Sequence, residues 1–299
     1  MVTQLTLPPV TVRRALTSEL RDYYVLTKPE VNLLVVMATG AGYLLGSQGR
    51  VDWTRLMCVL SGTLLVASGT ATLNQVIERV HDARMRRTAR RPLPAGRLKS
   101  RNAAIFGILL SIAGTADLLA LVNWPSAALA LATLLSYLFI YTPLKRKTAF
   151  CTLLGAIPGA MPILIGWTGA SGGIDLQAAL LFLILFLWQF PHFLSIALLY
   201  REDYERAGYR MLPYRDLEGR YTRAEIVGFT VALTAVTLVW ASGHGGIMYL
   251  LLILLAGAVL LFYGARLAAS GSKIAAGRLL HASVIYLPVV FAILIAQKY

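Results

Sequence analysis

Nine apolar stretches, at 31–45, 56–77, 103–121, 126–140, 151–167, 176–199, 226–241, 247–268 and 278–295, decide what this chain can become. In a helix, about 20 apolar residues cross roughly 30 Å of hydrocarbon. Nine such helices use about 180 residues, most of a chain of 299. Little is left for a separate soluble domain. The expectation is an all-α, polytopic membrane protein with about nine transmembrane helices: a cytosolic arm over 1–25, then a single membrane domain over 26–299. A charged fraction of only 14% against 57% hydrophobic residues agrees with this. The turns at Asn123–Pro125 and Gly243–Gly246 are so short that the helices they join must be antiparallel neighbours.

A net charge of +14 invites a nucleic-acid partner, but the placement of the charge argues against one. Of the 28 Lys and Arg residues, 25 fall in alternate segments: the N-terminal arm, 78–101, 144–148, 200–225 and 266–278. Only Arg50, Arg55 and Lys298 fall on the opposite side. This positive-inside bias puts the N-terminus in the cytosol and the C-terminus outside, and so requires an odd number of spans. Attraction to anionic lipid accounts for most of the basic loops. The first 25 residues show no cleavable signal and no clear transit peptide. The expected location is therefore the plasma membrane of a prokaryote rather than a mitochondrial inner membrane. Cys58 and Cys151 lie in apolar segments without metal-ligand or disulfide spacing.

Two of the basic segments also carry acids at helix ends. At the end of the second span, Asn74, Glu78 and Asp82 recur every four residues. On a helix they share one face, each about 6 Å from the next along the axis. Two carboxylates and an amide oxygen form the hard-oxygen surface that Mg²⁺ prefers, with waters and substrate phosphates completing its shell. An ordinary solvated helix end, with Glu78 and Asp82 paired to Arg79, Arg84 or Arg86, accounts for the acids. It does not account for Asn74, an amide inside an apolar stretch. After the sixth span comes a second cluster, Glu202, Asp203, Tyr204, Glu205 and Arg206. Arg84, Arg86, Arg87, Arg90, Arg91 and Arg97 follow the first cluster, and Lys145, Arg146 and Lys147 follow the fourth span. Metal-binding acids beside so many cations suit a diphosphate, whose charge the metal and the cations share.

His192 lies inside the sixth span directly after Pro191, where a haem ligand, a substrate contact and a merely satisfied buried histidine are all open. Pro191 is expected to kink that span, and Pro158, Gly159 and Pro162 to distort or closely pack the fifth. His81 reads as solvent-exposed, His281 as a weaker version of His192, and Asp117 has no assigned role.

The run Asn74-xxx-Glu78-xxx-Asp82-xx-Met85-xx-Thr88-xx-Arg91-Pro92-Leu93-Pro94-x-Gly96 resembles the first motif of the protohaem IX farnesyltransferases (haem O synthases), within the UbiA-type membrane prenyltransferase superfamily. Other UbiA-type enzymes usually show Asp at the position of Glu78. Further matches are Lys28-Pro29, Tyr141-Thr142-Pro143-Leu144-Lys145-Arg146-x-Thr148, Gly159-Ala160-x-Pro162, Gly166-Trp167 and Pro191-His192-Phe193. Asp203-Tyr204-xx-Ala207-Gly208 and Met211-Leu212-Pro213 complete the set. The likeness covers about residues 22–295. Cys151 stands where the family usually has Asn, Phe190 where it has Pro, Leu194 where it has Trp and Arg210 where it has Pro.

The resemblance implies a nine-helix bundle around a central chamber capped by cytosolic loops. It further implies transfer of farnesyl from farnesyl diphosphate to a vinyl group of haem B, giving haem O. Asn74, Glu78, Asp82 and Asp203 would then be the catalytic residues holding Mg²⁺. Lys145 and Arg146 would bind phosphate oxygens, and Arg87 and Arg91 phosphate or a haem propionate. Tyr141, His192, Glu202, Tyr204 and Arg206 would complete the substrate-binding set. Implied partners are membrane lipid and a downstream haem A synthase or oxidase assembly factors, with no nucleic acid. Three rivals share parts of this pattern. One is a UbiA-type enzyme using a quinone precursor or other aromatic acceptor. Another is a secondary transporter, whose polar residues would sit nearer the midplane. The third is a non-catalytic assembly factor, which has no need of three oxygen ligands on one face.

Overall fold

The computed structural model describes residues 12–210, 212, 216, 218–243 and 246–299. Met211 and Pro213 of the Met-Leu-Pro match, Arg215, positions 244–245 of the second short turn, residues 1–11 of the arm and the side chains of Arg13 and Arg14 lie outside the described residues.

Among the described residues every regular element is a helix. An arm helix α1 (Val12–Leu26) leads into α2 (Pro29–Gly46), α3 (Trp53–Asp82), α4 (Ser100–Leu121) and α5 (Trp124–Leu135). The fifth helix runs on through a π-helical turn, Ser136–Tyr141, into a last short turn α6 (Thr142–Leu144). Then come α7 (Cys151–Ser171), α8 (Leu176–Leu199), the short α9 (Arg201–Ala207), α10 (Arg220–Ser242), α11 (Ile247–Ser270) and α12 (Lys273–Lys298). Side-chain oxygens start several of them by accepting from an otherwise orphaned backbone N–H. Asp52 accepts from Arg55 N at 3.0 Å, Asn123 from Ser126 N at 2.9 Å and Asp175 from Ala178 N at 2.9 Å.

Among the described residues eight helices are long and apolar enough to cross a membrane: α3, α4, α5 with its extension, α7, α8, α10, α11 and α12. The remaining expected span, 31–45, forms α2. Pro29, Glu30 and Asn32 in its opening turns keep it out of that set. It still runs the length of the bundle. Lys28, just before it, bonds Asn74 near the end of α3, while the carbonyls of Leu44 and Leu45 at its other end accept from Lys298 Nζ at 2.9 and 2.8 Å.

Buried apolar residues form two large clusters that share α2 and α7. One joins them to α3, α4 and α5, the other to α8, α10, α11 and α12. The shared pair touches almost backbone to backbone. A Cβ on Gly42 would sit 2.1 Å from the Ile163 carbonyl oxygen, and one on Gly166 would sit 1.9 Å from that of Thr39. Small residues allow such approach where no hydrophobic effect drives helices together. The outer faces stay apolar: Ile105, Leu109 and Ile112 of α4 and Leu251, Leu255 and Phe262 of α11 are exposed, as lipid-facing residues should be. Pro158 and Pro162 lie within a continuous α7, and Pro191 within a continuous α8.

Candidate functional site

The thirty-residue α3 extends the expected span by five residues beyond Ile77, so Asn74, Glu78 and Asp82 do share one helix. All three are buried. Each meets a cation or a hydroxyl brought from elsewhere in the chain. The Glu78 oxygens accept from Lys145 Nζ at 3.0 and 3.2 Å. Asp82 Oδ2 accepts from Arg91 Nη1 at 2.8 Å. Asn74 Oδ1 accepts from Lys28 Nζ at 3.0 Å, and its amide donates to Thr142 Oγ1 at 3.2 Å.

Lys145 reaches Glu78 from just beyond the π-helical turn. Burial alone would lower its pKa, but the facing Glu78 carboxylate overrides burial and holds the ammonium well above its usual range. Its Nζ lies 4.6 Å from the centre of the Tyr141 ring and 5.9 Å from that of Tyr209, both within cation–π range. Lys28 stands at φ 50°, a left-handed conformation uncommon outside glycine. Burial, then repulsion from Arg91 and Lys145, push its ammonium down to about 7. Three cations, Lys28, Lys145 and Arg91, and two tyrosine rings thus converge on one stretch of α3.

The second cluster comes to the same end of the bundle. Asp203 is buried; its Oδ1 accepts from Arg206 Nη2 at 2.7 Å and its Oδ2 from the Arg87 backbone N at 3.3 Å. Arg87 Nη2 donates to Tyr204 OH at 3.5 Å, and its guanidinium sits 5.1 Å from the Tyr200 ring centre. Met85, Tyr204, Ala207 and Tyr209 form a small apolar cluster joining the segment after α3 to α9. His81 links them too. Its Nδ1 faces the Ala207 carbonyl at 3.1 Å, which makes Nδ1 the donor, and its Nε2 then accepts from Arg146 Nη1 at 3.1 Å. So His81, expected in solvent, is half-buried and bridges two site segments.

Some expected residues do not join. Glu202 is exposed and pairs with Lys273 Nζ at 2.6 Å; that hydrogen bond holds its carboxyl below the usual range. His192 bonds Ser283 Oγ at 2.9 Å and stacks on Trp188 at 4.7 Å, away from the acidic face. His281 is exposed and faces the Gly277 carbonyl of its own helix. Asp117 accepts from Ser61 Oγ at 3.0 Å. Lys28 and Thr142 meet Asn74, and the Tyr209 ring lies near Lys145, though the sequence marked none of the three for a role. Lys28 had a signal: a cation placed directly before a helix-opening proline.

Among the described residues no three His, Cys, Asp or Glu side chains lie close enough to ligate one ion by themselves. The acids instead pair with Lys and Arg: Glu78 with Lys145, Asp82 with Arg91 and Asp203 with Arg206. Oxygen donors so charged and so buried fit Mg²⁺ that arrives with a phosphate-bearing substrate supplying further oxygens.

The profile of the UbiA prenyltransferase family matches residues 34–290. The chain is 47% identical to the protoheme IX farnesyltransferase of Solibacter usitatus over 289 residues, covering 93% of this chain and 99% of that one. It is 43% identical to the protoheme IX farnesyltransferase of Salinibacter ruber, covering 92% and 98%. Its fold is similar to that of a solved digeranylgeranylglyceryl phosphate synthase, with a TM-score of 0.76 at 19% identity over 94% of this chain and 99% of that one. It is also similar to a UbiA homolog from Archaeoglobus fulgidus bound to GPP and Mg²⁺, with a TM-score of 0.64 at 14% identity over 91% and 99%.

Proposed function

The chain belongs to the UbiA prenyltransferase family, and from that premise we propose that it transfers farnesyl from farnesyl diphosphate to a vinyl group of haem B, making haem O. The observation that carries the acceptor is near-complete coverage at more than 40% identity by protoheme IX farnesyltransferases. The buried acid–cation face on α3 supports the donor.

Lys28, Lys145, Arg91, Arg87 and Arg146 draw the diphosphate to the end of α3. Asn74, Glu78, Asp82 and Asp203 would hold Mg²⁺ there. The ion, when bound, neutralises charge that builds on the departing pyrophosphate. Lys145 and Arg91 bear on the same charge, and Tyr141 and Tyr209 line the approach with π faces. The surrounding apolar helices keep water from the allylic carbon while its bond to oxygen breaks. The electron-rich vinyl group then attacks that carbon, and water captures the porphyrin-stabilised cation, losing one proton to the released pyrophosphate. This sequence needs no strong base within the membrane.

On this reading α2 is a ninth crossing, the site end of the bundle faces the cytosol with the N-terminus, and the C-terminus lies outside. The alternation of basic segments supports that orientation. The test is haem O formation, read by mass spectrometry, from protein in lipid with haem B, farnesyl diphosphate and Mg²⁺, with and without EDTA. Metal-dependent haem O is expected. Prenylation of an aromatic acid in its place, with haem B untouched, would move the acceptor to the quinone-precursor class.

A further inference from the structure

At the site end of the bundle, α11 turns into α12 at Gly271 and Ser272. Gly271 has φ of 60°, and a Cβ there would lie 2.6 Å from Arg223 Nη1, so the turn lies directly against a guanidinium. Beside the turn opens a cleft of about 110 Å³ lined by Tyr263, Arg266, Ser270, Ser272, Ile274 and Arg278. The two arginines come one from each helix. Neither pairs with a carboxylate among the described residues, and Glu202, tied to the same turn, is held by Lys273.

The surroundings are apolar and outward-facing. α11 is apolar along its length and mostly exposed. Phe262 is 55% exposed with Arg266 at 5.8 Å from its ring, and Ile274 is 71% exposed. Two cations and two hydroxyls therefore line one cleft at the edge of a lipid-facing surface. A guanidinium fork matches phosphate oxygens, and basic clefts between helices at the membrane surface suit anionic head groups.

We propose that this cleft binds the phosphate of one anionic phospholipid, whose acyl chains lie along α11. Arg266 and Arg278 clamp the phosphate from either side, and of the Ser270 and Ser272 hydroxyls, 3.3 Å apart, the one not donating to the other donates to a free oxygen. The site is separate from the acidic face of α3, so it depends on membrane embedding and not on the proposed acceptor.

The experiment uses the full chain in nanodiscs of phosphatidylcholine with one fifth phosphatidylglycerol, followed by native mass spectrometry of lipid retained after release. The wild type should retain one more phosphatidylglycerol than R266Q/R278Q, with affinity weaker in the variant by roughly thirtyfold, about fivefold per cation lost. R266K/R278K, which keeps the charge and tests for misfolding, should retain most of the binding. Equal retention by wild type and R266Q/R278Q overturns the proposal. So does loss of the lipid to millimolar inorganic phosphate, which would make the ligand a soluble phosphate.

Discussion

Lys145→Met isolates the contact on which the site turns. Lys145 Nζ reaches both oxygens of Glu78, and the two side chains are only 15% and 9% exposed. At 3 Å and an effective dielectric near 20, such a pair attracts by roughly 5 kcal/mol before desolvation is subtracted. Removing one partner of a buried pair typically costs about 3–5 kcal/mol, because the other charge stays buried alone. Lys28 is also drawn to Glu78 and compensates in part, so the lower figure, about 3 kcal/mol, is expected. In a chain of this size that lowers the thermal midpoint by roughly 5 °C. Adding Glu78→Gln removes the stranded charge and should restore at least half of the loss. Turnover should not return: each single variant and the pair should fall at least about a hundredfold, as when one donor to a developing anion is removed. The assay is a double-mutant cycle read by thermal unfolding and by haem O formation on the same preparations. If the paired variant is no more stable than Lys145→Met, or if Lys145→Met turns over normally, Lys145 does not serve Glu78 in the way described.

Asp203→Asn should lower turnover by about a hundredfold with only a small drop in melting, since the amide oxygen still accepts from Arg87 N and Arg206, 41% exposed, turns to solvent when its ion pair is lost; parallel haem O and thermal assays check it. Lys298→Met removes the ammonium that closes the Leu44, Leu45 and Ser47 carbonyls at the far end of α2. It should cost about 2 kcal/mol of stability, as for hydrogen bonds to a charged group, and leave the Michaelis constant for farnesyl diphosphate unchanged. Gly166→Ala would put a methyl 1.9 Å from the Thr39 carbonyl, so α2 and α7 must separate; reduced yield of folded protein on size exclusion is expected, with Gly173→Ala, which meets nothing, as the silent control.

Sequence periodicity revealed the α3 face because all of its information is local: three polar residues at four-residue spacing need only a helix to meet. The partners of that face were harder to read. Lys145 is 67 residues from Glu78, and Lys28 is 46 from Asn74. Those distances close only through the packing of α2, α3 and α5, which charge counting does not describe. The segment after Asp82 shows the same limit. Its arginines mark it as a basic loop, yet Met85, Thr88, Leu93 and Leu98 are buried under it. Thr88 Oγ1 folds it back by donating to the Asp82 carbonyl at 2.7 Å. His192 was legible as a polar residue in an apolar span, but its partner Ser283 lies 91 residues on, in the last helix.

The π-helical turn at Ser136–Tyr141 also sets a phase. A π turn closes with one residue more than an α turn, so whatever follows is rotated by about 100° relative to an uninterrupted helix. Thr142 and Lys145, which meet Asn74 and Glu78, lie on the far side of that offset. Excising any single residue between 136 and 141 would let the segment relax to ordinary α-helix. The same ammonium would then swing round the barrel of the helix, away from α3, with no residue of the site itself having been altered.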